Sequence, residues 1–189
     1  MIKTKPKAIV LGGSAGSIKL VSFFFLNLSS SFSTPLIMAL HRANEQNSNL
    51  RNFFQEMVFL PIVEPLEATP IESGKIYLAP PGLHIVVEDN YMINVDNSPL
   101  VHYSKPSIDV LFMSAAEIYK EQIVGILVSG SNDDGALGIK NINEKGGITI
   151  VQNPEEAQLS RMPSSAMKLT QVTHVFNAVQ ILEFLNQLE

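Results

Sequence analysis

The 189-residue sequence contains no cysteine. Disulfides, thiolate metal sites and a cysteine nucleophile are excluded at once, although the redox compartment is left open. Positive charge is also scarce. Thirteen Lys and Arg stand against 18 Asp and Glu, giving a formal net charge of −5 and a pI of about 5.4. A nucleic-acid partner would call for a basic patch or stripe, and a membrane surface for a polybasic face, so neither is expected. Long apolar runs are missing too. Residues 1–7 carry three lysines in the manner of a signal n-region, but the apolar run behind them, residues 8–11, meets Gly12-Gly13 at once. A signal h-region needs about 7–15 apolar residues. The most apolar later segment, residues 20–28, is broken by Ser22 and Asn27 and falls far short of spanning length. The expectation is a cytoplasmic protein without membrane insertion. Its 46% hydrophobic and 16% charged residues are those of a globular chain. At this length one domain buries about 70% of its unfolded surface and needs no covalent staple.

What is present is alternation. Residues 8–11 read as a buried strand, and residues 16–28 as a helix so apolar that most of it should be covered. Residues 35–40 form a second buried strand ending at His41, and residues 47–57 a further helix. A short strand over residues 74–79 stops at Pro80-Pro81-Gly82. Residues 84–88 and 91–95 flank Asp89-Asn90 as a hairpin. Ser107 is placed to cap a helix running to Tyr119. Then come a strand (123–128), a helix (134–145) ended by Gly146-Gly147, a strand (148–151), a short helix (163–169), a strand (172–176) and a last helix (179–188). Wholly apolar strands alternating with helices predict a single α/β domain, mostly a parallel sheet with helices on both faces and an antiparallel hairpin insertion. Met38, Met57, Met113, Met167 and the phenylalanines read as core, and Met162-Pro163 as a pocket rim.

Parallel α/β sheets place their sites where strands end and helices begin. Three such junctions carry reactive side chains. Gly12-Gly13-Ser14-Ala15-Gly16-Ser17 contains G-x-S-x-G, the pattern of a nucleophilic serine on a sharp strand-to-helix turn. Small neighbours expose the hydroxyl, and free backbone N–H groups of Ala15 and Gly16 at a helix start can stabilise an oxyanion. The second junction presents His41, and the third presents Asp133-Asp134-Gly135. Each motif taken singly has a plainer reading: a phosphate-cradling turn, a structural histidine, a helix N-cap. A dinucleotide site is disfavoured because position 14 is not glycine and the next strand ends in His41-Arg42 rather than an acidic residue. There is no G-x-x-x-x-G-K-[ST]. No histidine pair has metal-ligand spacing on a helix, so no metal is expected. His84, His102 and His174 are weaker candidates. Asp109 fits the first turn of the helix behind Ser107. Together, the serine, base and carboxylate can converge as a triad.

The whole chain resembles the catalytic domain of the chemotaxis receptor methylesterases, the CheB family. Residues 12–17 match that family's G-A-S-T/A-G-G turn, and Leu40-His41-Arg42-Ala43 its Q-H-M-P. Residues 77–84 match Y-x-A-P-x-x-x-H, residues 105–112 R-P-S-V-D-x-L-F, and residues 128–138 L-T-G-M-G-x-D-G-A-x-G. Gln152-Asn153 and Met162-Pro163 fall where the family has Q-N and G-M-P. The resemblance implies Ser14, His41 and Asp134 as nucleophile, base and orienter. It implies hydrolysis of glutamyl methyl esters on methylated chemoreceptor cytoplasmic helices, with glutamine deamidation in some members, and no cofactor. Three departures bear on the site: Ser17 replaces a glycine, Arg42-Ala43 replaces Met-Pro, and the pocket candidate Ser131 replaces a methionine. The alternatives are an esterase or amidase of another substrate on this scaffold, or a non-catalytic module that docks a partner. In the family's usual architecture a receiver domain precedes the esterase. Here the first strand begins about seven residues after Met1. The expectation is therefore a catalytic domain over residues 1–189 without a receiver, regulated in trans if at all, unless the sequence is a piece of a longer protein.

Overall fold

Every residue of the first strand, β1 (Ala8–Gly13), is buried, which requires cover on both faces of its sheet. In the computed structural model, which describes residues 6–42 and 49–188, β1 is followed by α1 (Ser17–Asn27), β2 (Leu36–Leu40), α2 (Leu50–Gln55), β3 (Ile62–Val63), β4 (Thr69–Pro70), β5 (Ile76–Leu78), β6 (His84–Glu88) and β7 (Met92–Asp96). The remainder is α3 (Ile108–Tyr119), β8 (Ile123–Leu127), α4 (Ala136–Glu144), β9 (Ile148–Gln152), α5 (Arg161–Leu169), β10 (His174–Phe176) and α6 (Ala178–Asn186). Seven strands pair in parallel in the order β10-β9-β8-β1-β2-β5-β3. Three more form an antiparallel sheet ordered β4-β7-β6. The expected α/β architecture is observed, and β4 widens the expected hairpin into a three-stranded sheet.

The period-two geometry of β1 divides its side chains between two cores. Ile9 and Leu11 join Val21, Phe24 and Phe25 of α1, Phe54 of α2 and Ile181 of α6 on one face. Ala8 and Val10 join Leu111 and Phe112 of α3, Ile139 of α4 and Ala166 of α5 on the other. Each fully buried phenylalanine contributes roughly 1.5–3 kcal/mol.

Some expectations need correction. Only one stripe of α1 is covered, because Val21, Phe24 and Phe25 share a face and leave Ile18 and Leu26 exposed. Met113 and Met167 are exposed on their helices, not core, while Met38 is fully buried. Met162 is no rim residue: it is fully buried and packs on Gly130, where a Cβ would come within 2.5 Å of its Sδ. The helix expected over residues 47–57 starts at Leu50, and residues 47–48 lie outside the described residues.

The register of the central strands prepares the site. Gly13 pairs with Leu40 of β2, and Gly12 with Leu127 of β8. Ser14 and His41 therefore leave adjacent strands side by side, and His41 N–H donates to Gly13 O at 2.9 Å. The loop from β8 toward α4 delivers Asp134 at the next strand end.

Candidate active site

Three residues, 14–16, turn the chain from β1 into α1. The Ser14 peptide is pinned: its N–H donates to Ser129 O at 2.9 Å, and its carbonyl accepts from Ser17 N–H at 3.0 Å and Ser17 Oγ at 2.5 Å. Ser17, one of the departures from the family pattern, thus closes the turn with its buried side chain. Gly16 has φ +85°, and a Cβ there would lie 2.7 Å from Gln158 Cβ and 2.8 Å from Ser129 Oγ. Ser129 holds the same turn from beneath, donating to Ala15 O at 2.8 Å while accepting from Leu159 N–H at 2.9 Å. Among the described residues the N–H groups of Ala15 and Gly16 donate to no protein group. They sit at the start of α1, where orphan donors carry partial positive charge.

Asp134 is fully buried, and its carboxylate accepts four hydrogen bonds. His41 Nε2 (2.7 Å) and Ile108 N–H (2.7 Å) reach Oδ2, while Ser107 Oγ (2.9 Å) and Asp109 N–H (3.0 Å) reach Oδ1. Asp134 does not cap the helix that follows it. Instead Gly135 occupies that position, with φ +91°, and Asp134 closes the N-terminus of α3. Burial opposes its ionisation. The hydrogen bonds from His41 and from the Asp109 and Ile108 N–H groups outweigh that and hold the carboxyl below its ordinary value. An ionised carboxylate only accepts, so a neutral His41 ring bonded to it places its proton on Nε2 and leaves Nδ1 as an acceptor.

His41 lines a cavity of about 520 Å³ together with Ser14, Ala15, Arg42, Leu100, Tyr103, Ser104 and Lys105. Ser14 and His41 share this cavity without a hydrogen bond between them within 3.5 Å. Gly16 lines a neighbouring groove with Ser129 and Gln158. Ser131 is exposed and not part of the cavity wall. Asp133 points to solvent and pairs with Arg161 at 3.1 Å. Arg42, where the family has methionine, donates to Glu64 and to Ala79 O, both at 2.5 Å. It ties the β2 exit to the residues flanking β3 and β5.

Several further side chains support the site. The ring of buried His84 bridges Ser107 N–H (3.0 Å, to Nδ1) and Pro99 O (3.1 Å, from Nε2), joining the α3 start to the loop behind β7. Ser104 Oγ on that loop lies 3.4 Å from His41 Nδ1 and accepts from Asn132 Nδ2 at 3.3 Å. Asp109 is more than a first-turn carboxylate. It is buried, accepts from Gly138 N–H at 2.7 Å and lies 3.3 Å from His102 Nε2 without hydrogen-bonding geometry. Burial, helped by the charge of Asp134, pushes its carboxyl up to about 6 against the Gly138 hydrogen bond. Among the described residues no group of three or more His, Asp or Glu side chains could hold a metal ion, and no helix is long and apolar enough to cross a membrane.

Comparison with known proteins follows the same outline. The family model described as CheB methylesterase matches residues 9–185. A protein of Leptospira interrogans named protein-glutamate methylesterase/protein-glutamine glutaminase is 34% identical over 183 residues, covering 97% of this chain and 95% of that protein. A similarly named protein of Methanospirillum hungatei is 31% identical over 182 residues, 96% of this chain but 52% of the relative. The chain thus spans nearly all of the first and about half of the second. The fold superposes on the catalytic domain of Thermotoga maritima CheB methylesterase with a TM-score of 0.90 at 24% identity, covering 98% of this chain and all of that one. The chain belongs to the CheB methylesterase family.

Proposed function

We propose that this chain is a protein-glutamate methylesterase that removes methyl groups from glutamyl side chains of chemoreceptor helices, with deamidation of glutamine as its companion reaction. The observation that carries the reading is His41: Nε2 is tied to the buried Asp134 carboxylate, and the ring lines a cavity that Ser14 also lines. Ser14 is the nucleophile, His41 the base and Asp134 its orienter.

Ser14 Oγ attacks the ester carbonyl while His41 Nδ1 takes its proton. The two approach when substrate fills the cavity, as catalytic hydrogen bonds commonly tighten only in the complex. Asp134 holds the tautomer and stabilises the imidazolium. The carbonyl oxygen, now an oxyanion, is received by the N–H groups of Ala15 and Gly16, which have no other acceptor among the described residues. Loss of one such donor costs about 2.7–4 kcal/mol of transition-state stabilisation. The C–O bond to the methoxy group breaks, His41 returns the proton, and methanol leaves. Water then attacks the acyl-serine with His41 again as base, freeing glutamate. For glutamine the leaving group is ammonia.

The test is methanol release from a methylated receptor fragment. Wild type should release methanol, and Ser14→Ala should lose several orders of magnitude in turnover with an unchanged fold, since Ala removes one oxygen from a half-exposed turn. Retention of near wild-type turnover by Ser14→Ala would overturn the assignment.

A further inference from the structure

His41 is held at both ring nitrogens, and the proposed triad accounts for only one of the two contacts. At Nδ1, the atom assigned to take the nucleophile's proton, the hydrogen-bonding hydroxyl is not Ser14 but Ser104. Ser104 is itself oriented. Asn132 Nδ2 donates to its Oγ at 3.3 Å, and Asn132 Oδ1 accepts from the backbone N–H of Asp134 at 3.3 Å. The donors run in one direction round a closed ring: Asp134 N–H to Asn132, Asn132 amide to Ser104, Ser104 hydroxyl to His41 Nδ1, and His41 Nε2–H back to the Asp134 carboxylate. The two loops that meet in this ring follow β7 and β8 and share no strand.

We infer that Ser104 and Asn132 are positioning residues for the catalytic base, forming with Asp134 a hydrogen-bonded ring that sets the orientation of His41. The inference rests on the reading of His41 as the base. Its chemistry suits a group that changes charge during turnover. A hydroxyl can donate to neutral Nδ1, or it can rotate, donate to His102 O (3.4 Å away) and accept from Nδ1–H once the imidazolium forms. Asn132 can donate to Oγ in either state. The bonds on this arm are 3.3–3.4 Å, long enough for Ser104 to yield Nδ1 to Ser14 at low cost. Ser104 thus keeps the ring aimed before and after proton transfer without competing strongly for the proton.

The tests are Ser104→Ala, Ser104→Thr and Asn132→Ala. Ser104→Ala should lower kcat about fivefold, the effect of one neutral hydrogen bond, and leave KM within about twofold. Ser104→Thr keeps the hydroxyl and should recover most of that loss. Asn132→Ala should lower kcat similarly, and the double variant should be no worse than the single ones, because the two residues act as one arm. A second readout needs no substrate: in 15N spectra of the whole protein, Ser104→Ala should move His41 Nδ1 toward its unbonded position and leave Nε2–H in place. Wild-type kcat in Ser104→Ala, failure of Thr to rescue, additive losses in the double variant, or an unmoved Nδ1 would each overturn the inference. If wild type releases no methanol, the function reading fails, while the Nδ1 measurement still decides the ring.

Discussion

Two neighbouring aspartates make the sharpest comparison available at the scale of single residues. Asp134 is buried with four donors on its carboxylate, whereas Asp133 is exposed and meets only Arg161. Asp134→Asn replaces one acceptor oxygen with an NH2 group. It leaves either the Ser107/Asp109 pair or the His41/Ile108 pair of donors facing another donor. Each buried donor left unpaired costs about 1–3 kcal/mol, so this variant should lose stability as well as about 10⁴ in turnover. Asp133→Asn breaks a surface pair worth about 0–1 kcal/mol and should unfold and turn over like wild type. Urea titration with methanol assays on both variants checks this, and the reverse ranking would move the assignment by one residue. Ser14, His41 and Asp134 could be picked out in the sequence because each stands at a strand end. Ser104 and Asn132 could not, because their meeting depends on how two distant loops pack. The histidine set aside as weak, His84, is buried at the joint between one of those loops and α3.

Among the elements, long apolar strands and helices with one covered stripe were legible, and two-residue strands were not. β3 and β4 are too short for a hydrophobic period, so the edge strand of the parallel sheet goes unread and the insertion reads as a hairpin. Ile18, Leu26, Met113 and Met167 misled because composition reports how apolar a helix is, not which face the sheet covers. The β1–α1 junction, in contrast, is encoded locally. Gly16 combines φ +85° with a neighbour 2.7 Å from any added Cβ. Gly16→Ala therefore meets two penalties, an unfavourable backbone region costing about 1–2 kcal/mol and a clash with Gln158 and Ser129. Relief of the clash moves the Ser14 turn. The variant should be destabilised by at least about 1 kcal/mol and lose most of its kcat. Wild-type kcat and melting temperature in Gly16→Ala would show that the turn tolerates a side chain and that its geometry does not set the rate.

For the molecule as a whole, one sheet serves two cores, and the site lies at the strand ends between them. Asp109 stands where α3 meets α4, close to Asp134 and His102, and makes stability depend on pH. Its native carboxyl, pushed up to about 6, holds a proton more tightly than an unfolded one near 3.9. Its contribution is therefore full below about pH 4 and falls as pH rises toward about 6. Asp109→Asn keeps an acceptor for Gly138 N–H and cannot ionise. It should be more stable than wild type at pH 8, by on the order of 3 kcal/mol, and little different at pH 4. Equal effects at the two pH values would contradict the assignment of this proton to Asp109.

In the proposed mechanism Ser14 is the nucleophile, although the hydroxyl hydrogen-bonded to His41 is that of Ser104. A serine-directed organophosphonate followed by peptide mass mapping tests it most directly, since the reagent marks whichever oxygen His41 activates. One label per chain is expected, on Ser14, and none in Ser14→Ala. A label on Ser104, or undiminished labelling of Ser14→Ala, would contradict it.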